Sequence, residues 1–312
     1  MVQRVFDLFN GAFAQLNDNI SERTILMARS AMTSSKQKME KPAPQMADVR
    51  DLAIAGPDSI LPARLYTPMA AGHAPGPGLV FFHGGGFLVG DLDGYDNACR
   101  RLAASARIRV LSVEYRLGPE HPFPAAHDDA KAALLHVLET ATKYGMDPDQ
   151  ISVGGDSAGG TLSAWLAQWA NEQRISLQSQ LLLFPLLQLA GSQANKQKSV
   201  DDHILGKPAL RAIRKHFVAG ADLNDARLSP LFGTKTSSLA PALIITCGLD
   251  PLRVEGTAYG DMLRGLGVRI ELLHFKMMPH GYINLTALVP GAEAASLDAF
   301  EAYGRFVGTL SS

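Results

Sequence analysis

Cysteine is nearly absent from this 312-residue chain, which has only Cys99 and Cys247. Two thiols so far apart in sequence exclude the dense disulfide framework that holds small secreted domains together. An excess of one charge is lacking as well: 29 Lys plus Arg face 30 Asp plus Glu, a formal net charge of −1. That balance gives no uniform attraction for phosphate backbones or anionic lipid, so nucleic acid and membrane surfaces are not expected as partners. Long apolar runs are missing too, none approaching the ~18–20 residues of a membrane span. At the N-terminus, Asp7 and Asn10 stand where a signal peptide needs apolar residues. The chain reads as a soluble, cytoplasmic protein. Hydrophobic residues are plentiful at 46%, and a chain of roughly 300 residues can bury about 75% of its unfolded surface, so a large core is available.

The hydrophobic pattern changes period along the chain. Val5, Phe9, Phe13 and Leu16 fall near helical spacing, and Ser21 is placed to cap a second helix carrying Ile25, Ala28 and Met32. The polar stretch Ser34 to Gln45, with Pro42 and Pro44, reads as a linker. From Val49 onward, short apolar runs alternate with helical patterns. The runs are Leu61 to Tyr66, Leu79 to Phe82, Val110 to Val113, Ile151 to Val153, Leu181 to Phe184 and Ala242 to Thr246. Continuous apolar runs suit strands buried on both faces. Between them, Ala125 to Tyr144, Ala158 to Glu172, Glu255 to Leu266 and Ala292 to Val307 carry helical spacing. This alternation predicts an α/β fold, a mostly parallel sheet with helices on both faces. One segment breaks the rhythm: polar from Gly191 to Asp202, then helical with Leu210, Ile213 and Phe217 after Pro208. The division expected is an N-terminal helical segment over 1–48, a core over 49–187 and 225–312, and an insertion over 188–224 that covers the carboxyl edge of the sheet.

Chemistry concentrates in a few short sequences. Gly155-Asp156-Ser157-Ala158-Gly159 follows the strand Ile151 to Val153 and precedes a helix, the strand–turn–helix context in which a G-x-S-x-G serine is held in a sharp, exposed turn. The bland alternative is a glycine-rich turn with an incidental serine. His83-Gly84-Gly85-Gly86-Phe87 follows the strand Leu79 to Phe82, where glycines let backbone N–H groups approach a substrate oxygen. The residue after the nucleophile, Ala158, supplies a further N–H to such an oxyanion hole. A dinucleotide-binding reading of Gly84, Gly86, Gly90 and Glu114 fits less well. Its spacing departs from G-x-G-x-x-G, and Asp91 and Asp93 lie where a pyrophosphate would bind.

A serine hydroxyl needs a base oriented by a carboxylate, and the chain order expected is Ser, then Asp or Glu, then His. Asp250 follows the strand ending at Thr246, and His280 follows the apolar stretch Val268 to Phe275. Both fall at strand carboxyl ends, the edge where sites of open α/β sheets gather. Asp250 can also cap the helix after it. His274 lies within a strand pattern, His121 and His127 precede the serine, and His73, His136, His203 and His216 read as structural or surface residues. Asp261 sits inside a helix. Cys247 reads as core.

These residues resemble the hormone-sensitive-lipase-like family of α/β-hydrolase esterases, in its bacterial branch. The matches are His83-Gly84-Gly85-Gly86, Glu114 to Ala126, Gly155 to Gly160, Asp250-Pro251-Leu252-Arg253 and His280-Gly281, in the family's order. Val254, Tyr282 and Phe184 depart from its pattern. The resemblance implies Ser157 as nucleophile, His280 as general base and Asp250 as its orienting acid, with an oxyanion hole from the N–H groups of Gly85, Gly86 and Ala158. It implies that Glu114 and Arg116 pair beneath the site and that the N-terminal helices and the insertion form a helical cap. The substrate expected is a small ester of short to medium acyl length, hydrolysed without cofactor or metal, and the family also implies a homodimer. Phe87, Leu88, Leu205, Ile213, Phe217 and Ile283 are expected in the substrate pocket, their alternative being ordinary packing. Two other readings keep the fold: a non-catalytic small-molecule receptor, disfavoured by the presence of His280, and an amidase or deacetylase using the same serine apparatus.

Overall fold

The computed structural model describes residues 22–58, 60–72, 74–190 and 207–310. Its first element is helix α1 (Glu22–Met39). Ile25, Ala28 and Met32 are buried on it as their spacing predicts. The helix then continues through residues 34–39, where the polar composition suggests a linker. The linker reading holds for residues 40–45, which are irregular, but not for 34–39, where Lys36 is only 4% exposed; Glu40, just beyond the helix, is 7% exposed. The helix expected around Val5 to Leu16 lies outside the described residues.

Eight strands follow: β1 (Met46–Ala55), β2 (Ile60–Pro68), β3 (Gly76–Phe82), β4 (Arg109–Val113), β5 (Met146–Asp156), β6 (Gln180–Leu183), β7 (Ala242–Leu249) and β8 (Ile270–Pro279). They form one sheet in the order β1-β2-β4-β3-β5-β6-β7-β8. β1 pairs antiparallel with β2, and β2 antiparallel with β4; every other pairing is parallel. The parallel strands are buried on both faces, which is why they read as unbroken apolar runs. Alternate residues divide between two helical layers. Val80 and Phe82 pack with helices α3 (Ala125–Thr140) and α4 (Ala158–Glu172), through residues such as Leu134 and Leu162. Leu79 and Phe81 pack on the opposite face with α2 (Leu92–Ala106) and α7 (Ala292–Gly308), through Leu102 and Phe300.

Two further helices complete the described chain. Helix α5 (Lys207–Ala212) runs into a π-helical turn over Ile213–Val218, and α6 (Arg253–Gly265) packs Tyr259 and Leu263 against Leu182 and Ile244. The α5 segment belongs to the expected insertion. Phe217 stacks on Phe87 with ring centroids 4.1 Å apart, and the Phe217 carbonyl accepts from the Phe123 N–H at 2.8 Å. That contact seats the segment on the glycine loop after β3. The polar stretch Gly191 to Asp202 and Leu205 lie outside the described residues. Among the described residues no helix is long and apolar enough to cross a membrane.

Glu114 and Arg116 do not pair. The Arg116 guanidinium is gripped by Asp129 (2.7 Å) and also reaches Asp58 (2.7 Å), while Glu114 accepts the Leu92 N–H at 3.2 Å. Asp129 is fully buried on α3 and makes two-pronged contact with the guanidinium, a geometry that single-atom partners cannot match. The expected pair is thus replaced by one that ties the 114–124 loop to α3.

Candidate active site

Ser157 lies between β5 and α4 with φ 52° and ψ −115°, a left-handed conformation that L side chains rarely adopt. The surroundings fix it there. Its N–H donates to the Leu183 carbonyl (2.9 Å), and its own carbonyl accepts from Leu186 (3.1 Å) and Thr161 (3.2 Å). The turn is tight enough that a Cβ on Gly159 would stand 1.8 Å from the Phe82 carbonyl oxygen. Only glycine allows α4 to begin this close to β3, so the motif's second glycine is a packing requirement.

His280 follows β8 and is 7% exposed. Its Nε2 is 2.9 Å from Ser157 Oγ, and its Nδ1 is 2.9 Å from Asp250 Oδ2. Asp250 follows β7, and its second oxygen accepts the Leu252 N–H at 2.9 Å ahead of α6. The two roles weighed for this carboxylate, orienting the histidine and capping the next helix, are performed at once by its two oxygens. Burial disfavours the charged imidazolium, but the Asp250 charge and hydrogen bond outweigh it, so the His280 pKa is raised above the ordinary histidine value. With Nδ1–H donated to Asp250, Nε2 faces the serine hydroxyl as an acceptor. Phe184 lies edge-on to the imidazole at 5.0 Å and limits its other motions.

The loop 83–90 follows β3 and meets the serine turn through the Gly84 N–H, which donates to Asp156 at 2.7 Å. Gly85 has φ 118° and Gly86 φ 63°, and a Cβ on Gly85 would lie 2.0 Å from the Val89 carbonyl oxygen. The Gly85 carbonyl accepts from Leu88 and Val89, both at 3.2 Å, which turns the loop on itself. Ala158 is the first residue of α4, so its N–H has no acceptor within the helix. A helix N-terminus also carries positive partial charge. His83 begins the loop. Burial lowers its pKa to about 4, its Nδ1–H donates to the Gly84 carbonyl (2.7 Å), and its ring stacks on Tyr115 at 4.4 Å. It is a neutral structural residue, unlike His280.

The expected pocket residues are placed as follows. Phe87, Leu88, Ile213 and Phe217 are buried together in one cluster, and Ile283 is buried in the other helical layer. Of the remaining candidates, His274 lies in β8 with Nδ1 3.0 Å from Thr246 Oγ1, and Asp261 pairs with Arg264 on the surface of α6. Cys247 is buried, which pushes its thiol pKa well up and leaves it protonated. Asp156 lies inside the motif, yet the motif by itself gives it no role. It is buried, accepting the Gly84 N–H (2.7 Å) and the Tyr95 hydroxyl (3.0 Å). An acid beside a nucleophile was the available signal. Arg29, which donates to the Leu88 carbonyl at 2.9 Å, gave none, because 59 positions separate the two.

A serine hydroxyl, an imidazole and a carboxylate hydrogen-bonded in series at the carboxyl edge of a mostly parallel sheet are the arrangement of a serine hydrolase of the α/β class. The sequence profile of a family described by the alpha/beta hydrolase fold matches residues 79–284. The chain is 39% identical over 287 residues to carboxylic ester hydrolase LipN of Mycobacterium tuberculosis, covering 89% of this chain and 75% of that protein. It is 33% identical over 259 residues to ethyl acetate hydrolase of Pseudomonas putida, covering 81% of each. Among solved structures, an α/β hydrolase from the metagenome of Lake Arreo superposes with a TM-score of 0.87 at 31% identity, over 98% of this chain and 97% of that one. An esterase of Pyrobaculum calidifontis superposes with a TM-score of 0.82 at 32% identity, over 90% and 93%. The chain belongs to the hormone-sensitive-lipase-like esterase family of α/β hydrolases.

Proposed function

We propose that the protein is a serine carboxylesterase acting on small esters of short to medium acyl length through an acyl-enzyme. The observation that carries this reading is the pair of 2.9 Å hydrogen bonds through which His280 links Ser157 to Asp250. In the first stage Ser157 Oγ attacks the ester carbonyl carbon while its proton passes to His280 Nε2. The carbonyl electron pair moves onto oxygen, which the N–H groups of Gly85, Gly86 and Ala158 receive. Collapse of this intermediate breaks the bond to the alcohol oxygen, and His280 returns the proton to the departing alcohol. Water then repeats the sequence on the acyl-enzyme, releasing the acid and restoring the serine. Asp250 holds the imidazole and stabilises its charged form without taking the proton. The chain's own residues supply base, acid and oxyanion donors. The two cysteines are free and buried, which fits a reducing cytoplasm.

Phe87, Phe217 and Ile213 are buried together where the α5 segment meets the glycine loop, and an apolar insertion of this kind suits acyl chains better than sugars. A fluorophosphonate tests the chemistry: one equivalent is expected on Ser157, together with turnover of 4-nitrophenyl esters that peaks between two and eight acyl carbons. Folded protein that takes up no label would point to a binding protein instead, and a peak on long-chain emulsions would overturn the substrate class.

The raised His280 pKa sets the acid limb. The imidazole must be neutral to accept a proton, so kcat/KM is expected to fall as pH drops through a value above the ordinary ~6.5. A profile that stays flat down to pH ~5 would remove His280 as the base.

A further inference from the structure

One face of α1 carries Arg29, Thr33 and Lys36, and Glu40 follows on the same line just past the helix. Each reaches a different part of the frame around the site. Arg29 Nη2 donates to the Gly118 carbonyl (2.8 Å) as well as pairing with Glu120 (2.8 Å), and Thr33 Oγ1 meets the Asp91 carboxylate that caps α2. Glu40 is held by Arg101 (2.8 Å) and by Asn284 (3.0 Å), four residues beyond His280. Lys36 makes a different kind of contact. It is buried, with its ammonium 3.4 Å from the centroid of the Tyr95 ring. The Tyr95 hydroxyl donates to Asp156, and the other Asp156 oxygen takes the Gly84 N–H.

These contacts lead in steps from Lys36 to the glycine loop after β3. Burial raises the Asp156 pKa, and the positive charge of Lys36 is the strongest influence opposing that rise, ahead of the Gly84 and Tyr95 hydrogen bonds. Burial in turn lowers the Lys36 pKa to about 8. The groups facing this ammonium are Glu40 after its own helix, Asp91, Tyr95 and Cys99 from the α2 side, and His83 and Asp156 from the strand ends.

We propose that Lys36 is a positioning residue for the oxyanion loop: its ammonium supplies the positive charge that keeps the buried Asp156 carboxylate gripping the Gly84 N–H. Without that charge the buried Asp156 carboxylate is less favoured, its hold on Gly84 weakens, and the neighbouring Gly85 and Gly86 donors lose their aim at the developing oxyanion. Binding of the uncharged ester does not depend on that aim. The effect therefore falls on kcat and leaves KM nearly unchanged.

The proposal rests on the ester-hydrolase reading above, and its test separates the two. Lys36→Gln is expected to lower kcat on 4-nitrophenyl butyrate about tenfold with KM within about twofold, while Lys36→Arg stays within about threefold of the parent. Added to Asp156→Asn, which removes the carboxylate, Lys36→Gln should change kcat by less than about twofold. Equal losses in the glutamine and arginine variants, or losses that multiply in the double variant, would overturn the proposal, as would a glutamine variant as fast as the parent. Thermal melts accompany each protein. If Lys36→Gln does not melt cooperatively, the double variant without either charge should fold and match Asp156→Asn; a double variant that also fails to fold overturns the role. Turnover retained in Ser157→Ala would sink the underlying hydrolase reading, whereas an inert Ser157→Ala beside a fully active Lys36→Gln would sink only the role of Lys36.

Discussion

Replacing Ser157 by alanine is expected to lower kcat on a short-chain ester by about 10⁶-fold. The hydroxyl is the atom that forms the acyl bond, and its Oγ contact to His280 is made by the side chain alone. The turn itself is held by backbone bonds to Leu183, Leu186 and Thr161, none of which needs the hydroxyl. Alanine also tolerates the same φ of 52° at about the cost that serine already bears. The variant should therefore melt within a few degrees of the parent and still bind ester, leaving only the background rate supplied by the oxyanion donors. Purified variant protein, assayed after exhaustive fluorophosphonate treatment to silence contaminating host esterases, gives the measurement. A loss smaller than about tenfold would mean that another nucleophile carries the reaction.

Asp250→Asn is expected to cost about 10⁴ in kcat while preserving the shape of the site. The carboxylate uses one oxygen for the Leu252 N–H and the other for His280 Nδ1. Asparagine can keep its carbonyl on Leu252, but it then turns its NH₂ group toward Nδ1. The imidazole must answer as an acceptor there, which moves its proton to Nε2. That nitrogen then donates to Ser157 and can no longer take its proton. The Asp250 charge also lifts the His280 pKa, so the residual acid limb should shift to lower pH in the variant. Kinetics across the acid range read both effects together. A variant with near-parental kcat and an unmoved limb would assign the orienting role to a different acid.

The parts of the molecule that were legible in the sequence share one property: their cause is local. The bend at Ser157 needs small residues within two positions, and the buried strands announce themselves as unbroken apolar runs. Helix α4 begins and ends where its pattern does, at Ala158 and Glu172. What was illegible depends on partners far along the chain. Residues 34–39 look like a solvated connector because a polar residue counts as surface in any reading by hydrophobic pattern. Their helix is stable because Lys36 and Glu40 find buried partners more than 50 positions away. Helix α2 is illegible for a related reason. Its opening, Leu92-Asp93-Gly94-Tyr95-Asp96-Asn97, is weak in helix formers, and the helix is started by the Asp91 side chain accepting the Gly94 N–H at 2.6 Å. The Arg116 pairing could not be chosen from sequence either, since nothing nearby distinguishes Asp129 from Glu114.

The separation of Ser157 and His280 by 123 positions has a consequence for biosynthesis. At roughly 5–20 residues per second, a ribosome needs about 6–25 s after making the serine before it reaches the histidine. The elbow, β3 and its glycine loop have all emerged by then. The frame closes later still, when the Ala287 N–H meets the Met39 carbonyl. Until the histidine is made, the nascent chain holds a serine hydroxyl without its base, so the elbow can form well before it is able to attack an ester.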